Sequence, residues 1–162
     1  MRIVRLVTLS CFAALLSFVP VQAATVISDP VKFVTALYVK MAAATPNKPY
    51  VAPDDIYTPR LEALFALDKK EAGTDVGRMD FDIWSNAQDW QLSAVKVTGT
   101  PIANATGRER VVAKFKNNGK PEEVHFYFEK GKAGWQLDDA RSLVGETWTL
   151  SLILKYGWDS DN

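Results

Sequence analysis

The chain contains 162 residues, 48% of them hydrophobic, and its 19 basic residues balance its 19 acidic residues. This balance argues against nucleic acid as a partner, because such binding depends on many contacts from Lys and Arg to phosphates. The length is sufficient for a domain with a hydrophobic core.

The N-terminal segment, residues 1–23, has the three-part design of a secretory signal peptide. Arg2 and Arg5 precede an uninterrupted apolar run from Leu6 to Val19, and small residues occupy the positions before a cleavage site after Ala23. The run is shorter than the roughly 20 residues that a membrane anchor requires. We therefore expect cleavage of a Sec-type signal peptide and a periplasmic or secreted protein.

Cleavage would remove 23 of the 162 residues and leave 139, for which we predict a single domain at 24–158 and a flexible tail at 159–162. Loss of Arg2 and Arg5 would leave 17 basic against 19 acidic residues, a net charge of −2. The only cysteine, Cys11, would also leave, which excludes a disulfide, a thiolate metal site and a cysteine nucleophile. No later apolar run reaches membrane length, so we expect no membrane association after cleavage.

Two helices are predicted at the start of this domain. Ser28 or Asp29 is expected to cap the first helix, and Thr58 is expected to cap the second, which stops at Gly73. The apolar residues expected to face the core are Phe33, Val34, Leu37, Tyr38 and Met41 in the first helix, and Leu61, Leu64, Phe65 and Leu67 in the second.

A β-hairpin is predicted around Asn118-Gly119, the preferred two-residue turn for this motif. The turn fixes the register of its two strands and places Phe115 opposite Glu122 on the apolar face. On the polar face it places Lys114 opposite Glu123, and this pairing of opposite charges supports the same register.

A further strand is expected from "GWQLDDARS", after a turn at Gly131-Lys132. That turn would place Phe126 opposite Leu137 on the apolar face and His125 opposite Asp138 on the polar face. The terminal segment from Trp148 to Tyr156 alternates as a strand does but also fits a helix.

The order of these elements predicts an α+β domain. The sheet has at least four antiparallel strands, and its apolar face must be covered. The two N-terminal helices are the available cover, so we expect them to pack on one face of a curved sheet.

Four stretches, "YTPRLEALFALD", "GRMDFDIWSNAQDW", "VVAKFKNNGK" and "GWQLDDAR", occur in an order that resembles one family of bacterial secreted domains of unknown function. That family is similar to the nuclear-transport-factor-two-like, or cystatin-like, group of α+β folds. The resemblance covers roughly Asp29 to Leu154. It implies a cone-like fold with a sheet of about four strands and a short C-terminal helix, and it implies no particular reaction.

The segment Met79–Trp90, "MDFDIWSNAQDW", is called the acidic segment below. Asp80 and Asp82 have the spacing of ligands in a calcium loop, but Trp84 stands where a third oxygen ligand belongs and the loop glycine is absent. We therefore predict no metal site here and no other cofactor; in the metal-binding alternative, a cation at this segment would need further ligands from elsewhere in the chain.

Two other interpretations of the acidic segment stay open. In the structural one, Asp82 or Ser85 caps a helical turn, while Gln88 and Asp89 bond backbone groups beside the first strand. In the functional one, the polar groups of the segment contact a ligand at the mouth of the cone. The candidate residues for either role are Asp80, Asp82, Gln88, Asp89, Trp84 and Tyr38.

A catalytic candidate lies on the last predicted strand. Strict alternation from Trp135 and Leu137 turns Asp139 and Arg141 toward the apolar face, where a carboxylate is costly unless it is paired, with Arg141 as the nearest partner. An Asp with a raised pKa in such a pocket is a candidate general base, assisted by Arg141 or Tyr38. The structural alternatives are an ion pair that closes the sheet, or a bulge that turns Asp139 outward.

The single histidine, His125, is expected beside Asp138, but the sequence offers no nucleophile that would complete a triad. We therefore expect an ordinary polar residue on a solvated sheet face, which could also serve as a homodimer surface.

These observations favour a non-catalytic binding or interaction module for an unknown small molecule or protein partner. An immunity-type protein that neutralises a toxin is one variant. The alternative is a small hydrolase or isomerase that uses Asp139.

Overall fold

The structure, a computed structural model, describes residues 24–45 and 47–158. The predicted signal peptide and the predicted tail lie outside the described residues. Within the described ranges, no helix combines the length and the apolar character needed to cross a membrane. The elements are α1 (Pro30–Ala42), α2 (Pro59–Ala72), β1 (Leu92–Pro101), β2 (Arg108–Asn117), β3 (Lys120–Lys130), β4 (Trp135–Ser142), β5 (Trp148–Thr149) and α3 (Leu150–Tyr156).

The five strands form one antiparallel sheet in chain order. Two helices precede the sheet and one short helix follows it, which confirms the predicted α+β class. The additional strand is β5, only two residues long, which leads directly into α3. The ambiguous terminal segment therefore contains a short strand and then the short helix.

Both predicted N-caps are present. The Asp29 carboxylate accepts a hydrogen bond from the Lys32 amide at 3.0 Å, and the Thr58 hydroxyl accepts one from the Leu61 amide at 3.3 Å. The prediction that Leu67 is buried is wrong, because its side chain is 37% exposed. Its neighbour Asp68 is buried instead, because it accepts a hydrogen bond from the backbone of Arg78, which passes over that part of α2.

The hairpin between β2 and β3 has the predicted register. Asn118 and Gly119 both have positive φ, 49° and 80°, as a two-residue hairpin turn requires. Phe115 lies opposite Glu122, and the Lys114 ammonium lies 2.9 Å from the Glu123 carboxylate. A local turn signal was therefore enough to determine this register.

The predicted pairing between β3 and β4 is wrong. The turn closes between Gly131 and Gly134, where an amide-to-carbonyl hydrogen bond of 2.8 Å forms. Phe128 therefore lies opposite Leu137, a shift of two residues from the prediction. A β-bulge then shifts the remainder of β4 by one more residue, so that the shift is three residues in all. Phe126 consequently lies opposite Ala140, and His125 lies opposite Arg141 rather than Asp138.

The core lies between the helices and one face of the sheet, called the inner face here. α1 approaches this face closely at Gly99, where an added Cβ would lie 2.3 Å from a methyl group of Val31. The opposite face is called the outer face. The hydrophobic inner-face residues of β2, β3 and β4 that are at most 4% exposed are Val111, Ala113, Phe115, Val124, Phe126, Phe128, Leu137 and Ala140.

Candidate functional site

The bulge at Asp138 decides which side chains of β4 face the core. Beyond it, Ala140 is fully buried on the inner face, while Asp139 lies opposite Tyr127 on the outer face and Arg141 is exposed there. The expectation that Asp139 and Arg141 face the apolar core is therefore wrong. The alternative of a bulge that turns Asp139 outward is confirmed.

Asp139 serves as a cap for α3 from a neighbouring strand. Its Oδ1 accepts hydrogen bonds from the Ser151 amide at 3.0 Å and the Ala140 amide at 2.9 Å, and its Oδ2 accepts one from the Ser151 hydroxyl at 2.6 Å. The helix's own N-cap residue, Thr149, makes no capping side-chain bond. The nearest cation is Arg60, 3.8 Å away, so the predicted pairing of Asp139 with Arg141 is wrong.

The bulge itself is held from α2. Asp138 Oδ1 accepts hydrogen bonds from the Thr58 hydroxyl at 2.8 Å and from Arg60 Nε at 3.0 Å, and another Arg60 nitrogen donates to the Asp138 carbonyl. Burial acts to raise the pKa of Asp138, but the bonds from Arg60 and Thr58 outweigh burial and lower it. The same pairing raises the pKa of Arg60. The two groups are therefore a mutually satisfied ion pair.

A cavity of about 540 Å³, called the outer groove here, lies between the outer face and the start of α3. Its volume falls within the range of small-molecule sites, about 300–1,000 Å³. The lining residues combine apolar side chains, hydroxyls and charges. They include Ile102, Arg108, Tyr127, Glu129, Asp138, Asp139, Arg141, Thr149, Ser151 and Leu152.

Most charges in the outer groove are already paired. Arg108 lies 3.0 Å from the Glu129 carboxylate, and Asp138 and Asp139 are bonded as described above. Arg141 differs, because its guanidinium makes no hydrogen bond or ion pair with any residue that the structure describes. The Tyr127 hydroxyl is likewise without a polar partner in the described part of the chain. The groove thus presents the Arg141 guanidinium and the Tyr127 hydroxyl, both without a polar partner among the described residues.

In the acidic segment, Asp82 acts as the predicted cap. Its Oδ1 accepts hydrogen bonds from the amides of Trp84 at 2.7 Å and Ser85 at 2.9 Å. Its own amide donates to the Ala87 carbonyl, so the structure here is a closed turn rather than the predicted helical turn. Burial raises the pKa of Asp82 despite the bonds from these amides.

Trp84 anchors this turn to the inner side of the sheet. Its ring stacks on Phe126 with a centroid separation of 4.5 Å, and its carbonyl accepts a 2.6 Å hydrogen bond from the Tyr38 hydroxyl. Burial, and secondarily the charge of Asp82, raises the pKa of Tyr38 well above its usual value. Tyr38 therefore lies on the core side of the sheet, and its predicted role as a partner of Asp139 is wrong.

The other polar residues of the acidic segment lie apart from this anchor. Gln88 donates a weak, 3.4 Å hydrogen bond to the Asp80 carboxylate rather than to backbone, contrary to the prediction. Both residues line a second cavity of about 420 Å³ beside Trp158. The prediction that the Asp89 side chain bonds backbone is wrong, because this side chain is exposed; the bond observed at Asp89 is one that its carbonyl accepts from Asn117.

Two asparagines that were not predicted from the sequence also hold the turn of the acidic segment against the sheet. Asn117 accepts a 2.9 Å bond from the Gln91 amide and donates to the Ser85 carbonyl at 3.3 Å. Asn86 accepts a bond from the Trp148 indole and donates to Glu122. The available signals were a polar residue at an inward position of β2 and an asparagine in a turn, where Asn tolerates positive φ.

His125 does not pair with Asp138. Its Nε2 lies 2.7 Å from Glu123 on the same strand, and this hydrogen bond, together with Lys114, lowers the pKa of Glu123. His125 is not among the residues that line the outer groove. No group of three or more His, Cys, Asp or Glu side chains is arranged to hold a metal ion within residues 24–45 and 47–158.

In comparisons with family models, curated proteins and solved structures, no match to this chain was found. The resemblance to the secreted family therefore stays a prediction.

Proposed function

We propose that this protein is a periplasmic or secreted binding module without catalytic activity, and that the outer groove holds a small-molecule ligand. The observation that carries the proposal is the Arg141 guanidinium, which has no polar partner among the described residues, in a groove that also has apolar walls, Ile102 and Leu152. Small-molecule sites typically combine an apolar lining with a few placed polar groups.

The groove is built on elements that are already fixed. Arg60 and Thr58 hold the bulge that forms part of its lining, and Asp139 holds the first turn of α3, which forms its wall. A site preorganised in this way loses little conformational entropy when a ligand binds. This rigidity favours a binding site over an accidental surface depression.

Catalysis by Asp139 is the less favoured alternative. Its two carboxylate oxygens together accept three hydrogen bonds, from Ala140 and Ser151. These bonds occupy three of the roughly four lone-pair sites of the carboxylate and leave about one for a substrate proton. Because Asp139 already caps α3, a structural role in shaping the groove accounts for its position without a reaction.

A fragment screen followed by amide NMR tests the proposal. We expect ligands to shift the amide signals of groove residues, above all Tyr127, Thr149 and Ser151. The Leu152→Trp variant should fill the groove and weaken these shifts, because Leu152 lines the cavity. The matched control is Leu67→Trp, a partly exposed leucine on α2 outside the groove.

Groove shifts that disappear in Leu152→Trp and persist in Leu67→Trp would support the proposal. Fragments that cluster elsewhere, or groove shifts that are unaffected by Leu152→Trp, would contradict it. Native mass spectrometry of the purified protein provides an independent readout, because a retained small molecule should be lost in the same variant.

A further inference from the structure

Resting on the proposed function, we infer that the ligand of the outer groove is a small carboxylate with an apolar body, and that Arg141 binds its carboxylate group. A guanidinium matches a carboxylate because its planar array of donors makes two parallel hydrogen bonds. Arg141 lines the cavity and has no polar partner among the described residues, so its donors need not leave another group to bind a ligand.

The acidic residues of the groove do not favour a cationic ligand over an anionic one. With Arg60 included, three cations and three carboxylates surround the site, but the carboxylates are committed. Glu129 is paired with Arg108 at 3.0 Å. Asp138 accepts bonds from Thr58 and Arg60, and both oxygens of Asp139 accept bonds. A cationic ligand would have to share carboxylates that already hold bonds inside the protein, whereas an anion meets Arg141, which has no polar partner among the described residues.

The remaining lining defines the rest of the ligand. Ile102 and Leu152 offer apolar surface, and the Tyr127 ring adds an aromatic wall. The Tyr127 hydroxyl provides a neutral donor near the same face, since β3 places Tyr127 directly opposite Asp139. A short aliphatic or aromatic body attached to the carboxylate fits these surfaces and the volume of about 540 Å³.

Three matched probes test the inference in the purified protein: phenylacetate, phenylacetamide and phenethylammonium. They share an aromatic ring and differ in the charge of the head group. We expect phenylacetate to bind about tenfold more tightly than the amide, because a charged hydrogen bond is stronger than a neutral one, and phenethylammonium to bind most weakly. Affinities come from the amide NMR shifts of groove residues.

Two arginine variants locate the preference. Arg141→Gln should abolish the advantage of phenylacetate and leave the fold intact, because Arg141 is exposed and makes no polar contact with the described residues. Arg110→Gln is the matched control, since Arg110 is also on the outer face, opposite Tyr127, but does not line the groove. The Arg110→Gln variant should still bind phenylacetate more tightly than the other two probes.

The outcomes separate the two proposals. Equal binding of all three probes in the groove, or an advantage of phenylacetate that survives Arg141→Gln, would overturn the ligand class while the groove stays a binding site. Tighter binding of phenethylammonium would overturn it in the same way. If no probe shifts any groove signal, the proposed function fails together with the inference.

Discussion

Asp139 on β4 and Ser151 on α3 are joined by two hydrogen bonds, from the Ser151 amide at 3.0 Å and from its hydroxyl at 2.6 Å. One residue belongs to the sheet and the other to the helix. The pair therefore fixes the wall of the outer groove relative to the outer face.

The first prediction concerns this pair. Asp139→Ala removes the side chain that caps α3, and loss of a cap typically costs about 1–2 kcal/mol. We expect a decrease of that size in the free energy of unfolding in urea, with faster amide hydrogen exchange in α3. Asp89→Ala, which removes an exposed carboxylate, should change neither quantity. Equal effects of the two substitutions would show that Asp139 does not hold the helix.

The second prediction concerns the pH dependence contributed by Asp82. Burial raises its pKa in the folded state, so the folded protein binds this proton more tightly than the unfolded chain does. Stability contributed by Asp82 is therefore present below the unfolded pKa, about 4, and is lost as the pH rises through the folded pKa.

Asp82→Asn keeps an oxygen that can accept from Trp84 and Ser85 but removes the charge. We expect the stability of the wild type relative to this variant to decrease as the pH rises from acid to neutral. Urea unfolding at a series of pH values measures the difference. A wild-type advantage that grows with pH would mean that the carboxylate is favoured in the fold.

The third prediction concerns the ion pair that holds the bulge. The lowered pKa of Asp138 gives stability above the unfolded pKa that is lost as the pH falls through the folded pKa. Arg60→Gln should raise the pKa of Asp138, as followed by carboxyl NMR titration. Since the Arg60 side chain is 49% exposed, we expect a stability loss of only about 0.5–1 kcal/mol.

Arg108→Gln is the graded control, because Arg108 has a smaller effect on the pKa of Asp138 than Arg60 has. Its substitution should therefore raise that pKa less. A larger rise of the pKa in Arg108→Gln than in Arg60→Gln would indicate that the long-range charge, not the direct hydrogen bond, controls the pKa of Asp138.

The fourth prediction concerns Asn117, which is buried and bonds three backbone groups. Asn117→Ala should cost about 1–3 kcal/mol, because buried backbone groups are left without partners. Asn117→Asp keeps the acceptor for Gln91 but loses both donations, so it should also destabilise. Asn118→Gly, at a turn position with positive φ, should lie within about 0.5 kcal/mol of the wild type. Thermal and urea unfolding measure these differences in stability. An Asn117→Ala variant as stable as the wild type would contradict the anchoring role.

Local signals in the sequence predicted the caps of α1 and α2 and the turn at Asn118, because each depends on residues only a few positions apart. The cap at Asp82 was predictable for the same reason. The bulge at Asp138 could be named only as an alternative, because its partners, Thr58 and Arg60, lie about 80 positions away in sequence.

That single bulge explains most of the error at the candidate site. Strict alternation assumes two residues per repeat along the whole strand, and one extra residue reverses the facing of every side chain beyond it. Asp139 and Arg141 were correctly chosen as unusual residues, but they were assigned to the wrong face. The outer groove could not be predicted, because Tyr127, Arg141 and Leu152 meet only after β3, β4 and α3 have assembled.

The outer groove depends on the bulge at Asp138, so the most direct test is which face of β4 each residue occupies. Cysteines introduced singly as Arg141→Cys and Ala140→Cys can be labelled under native conditions in the protein from residue 24 onward, which has no native cysteine. We predict rapid labelling at position 141 and labelling at least about tenfold slower at position 140, because buried groups react only through opening of the structure. Faster labelling at position 140 would contradict the bulge and the groove that depends on it.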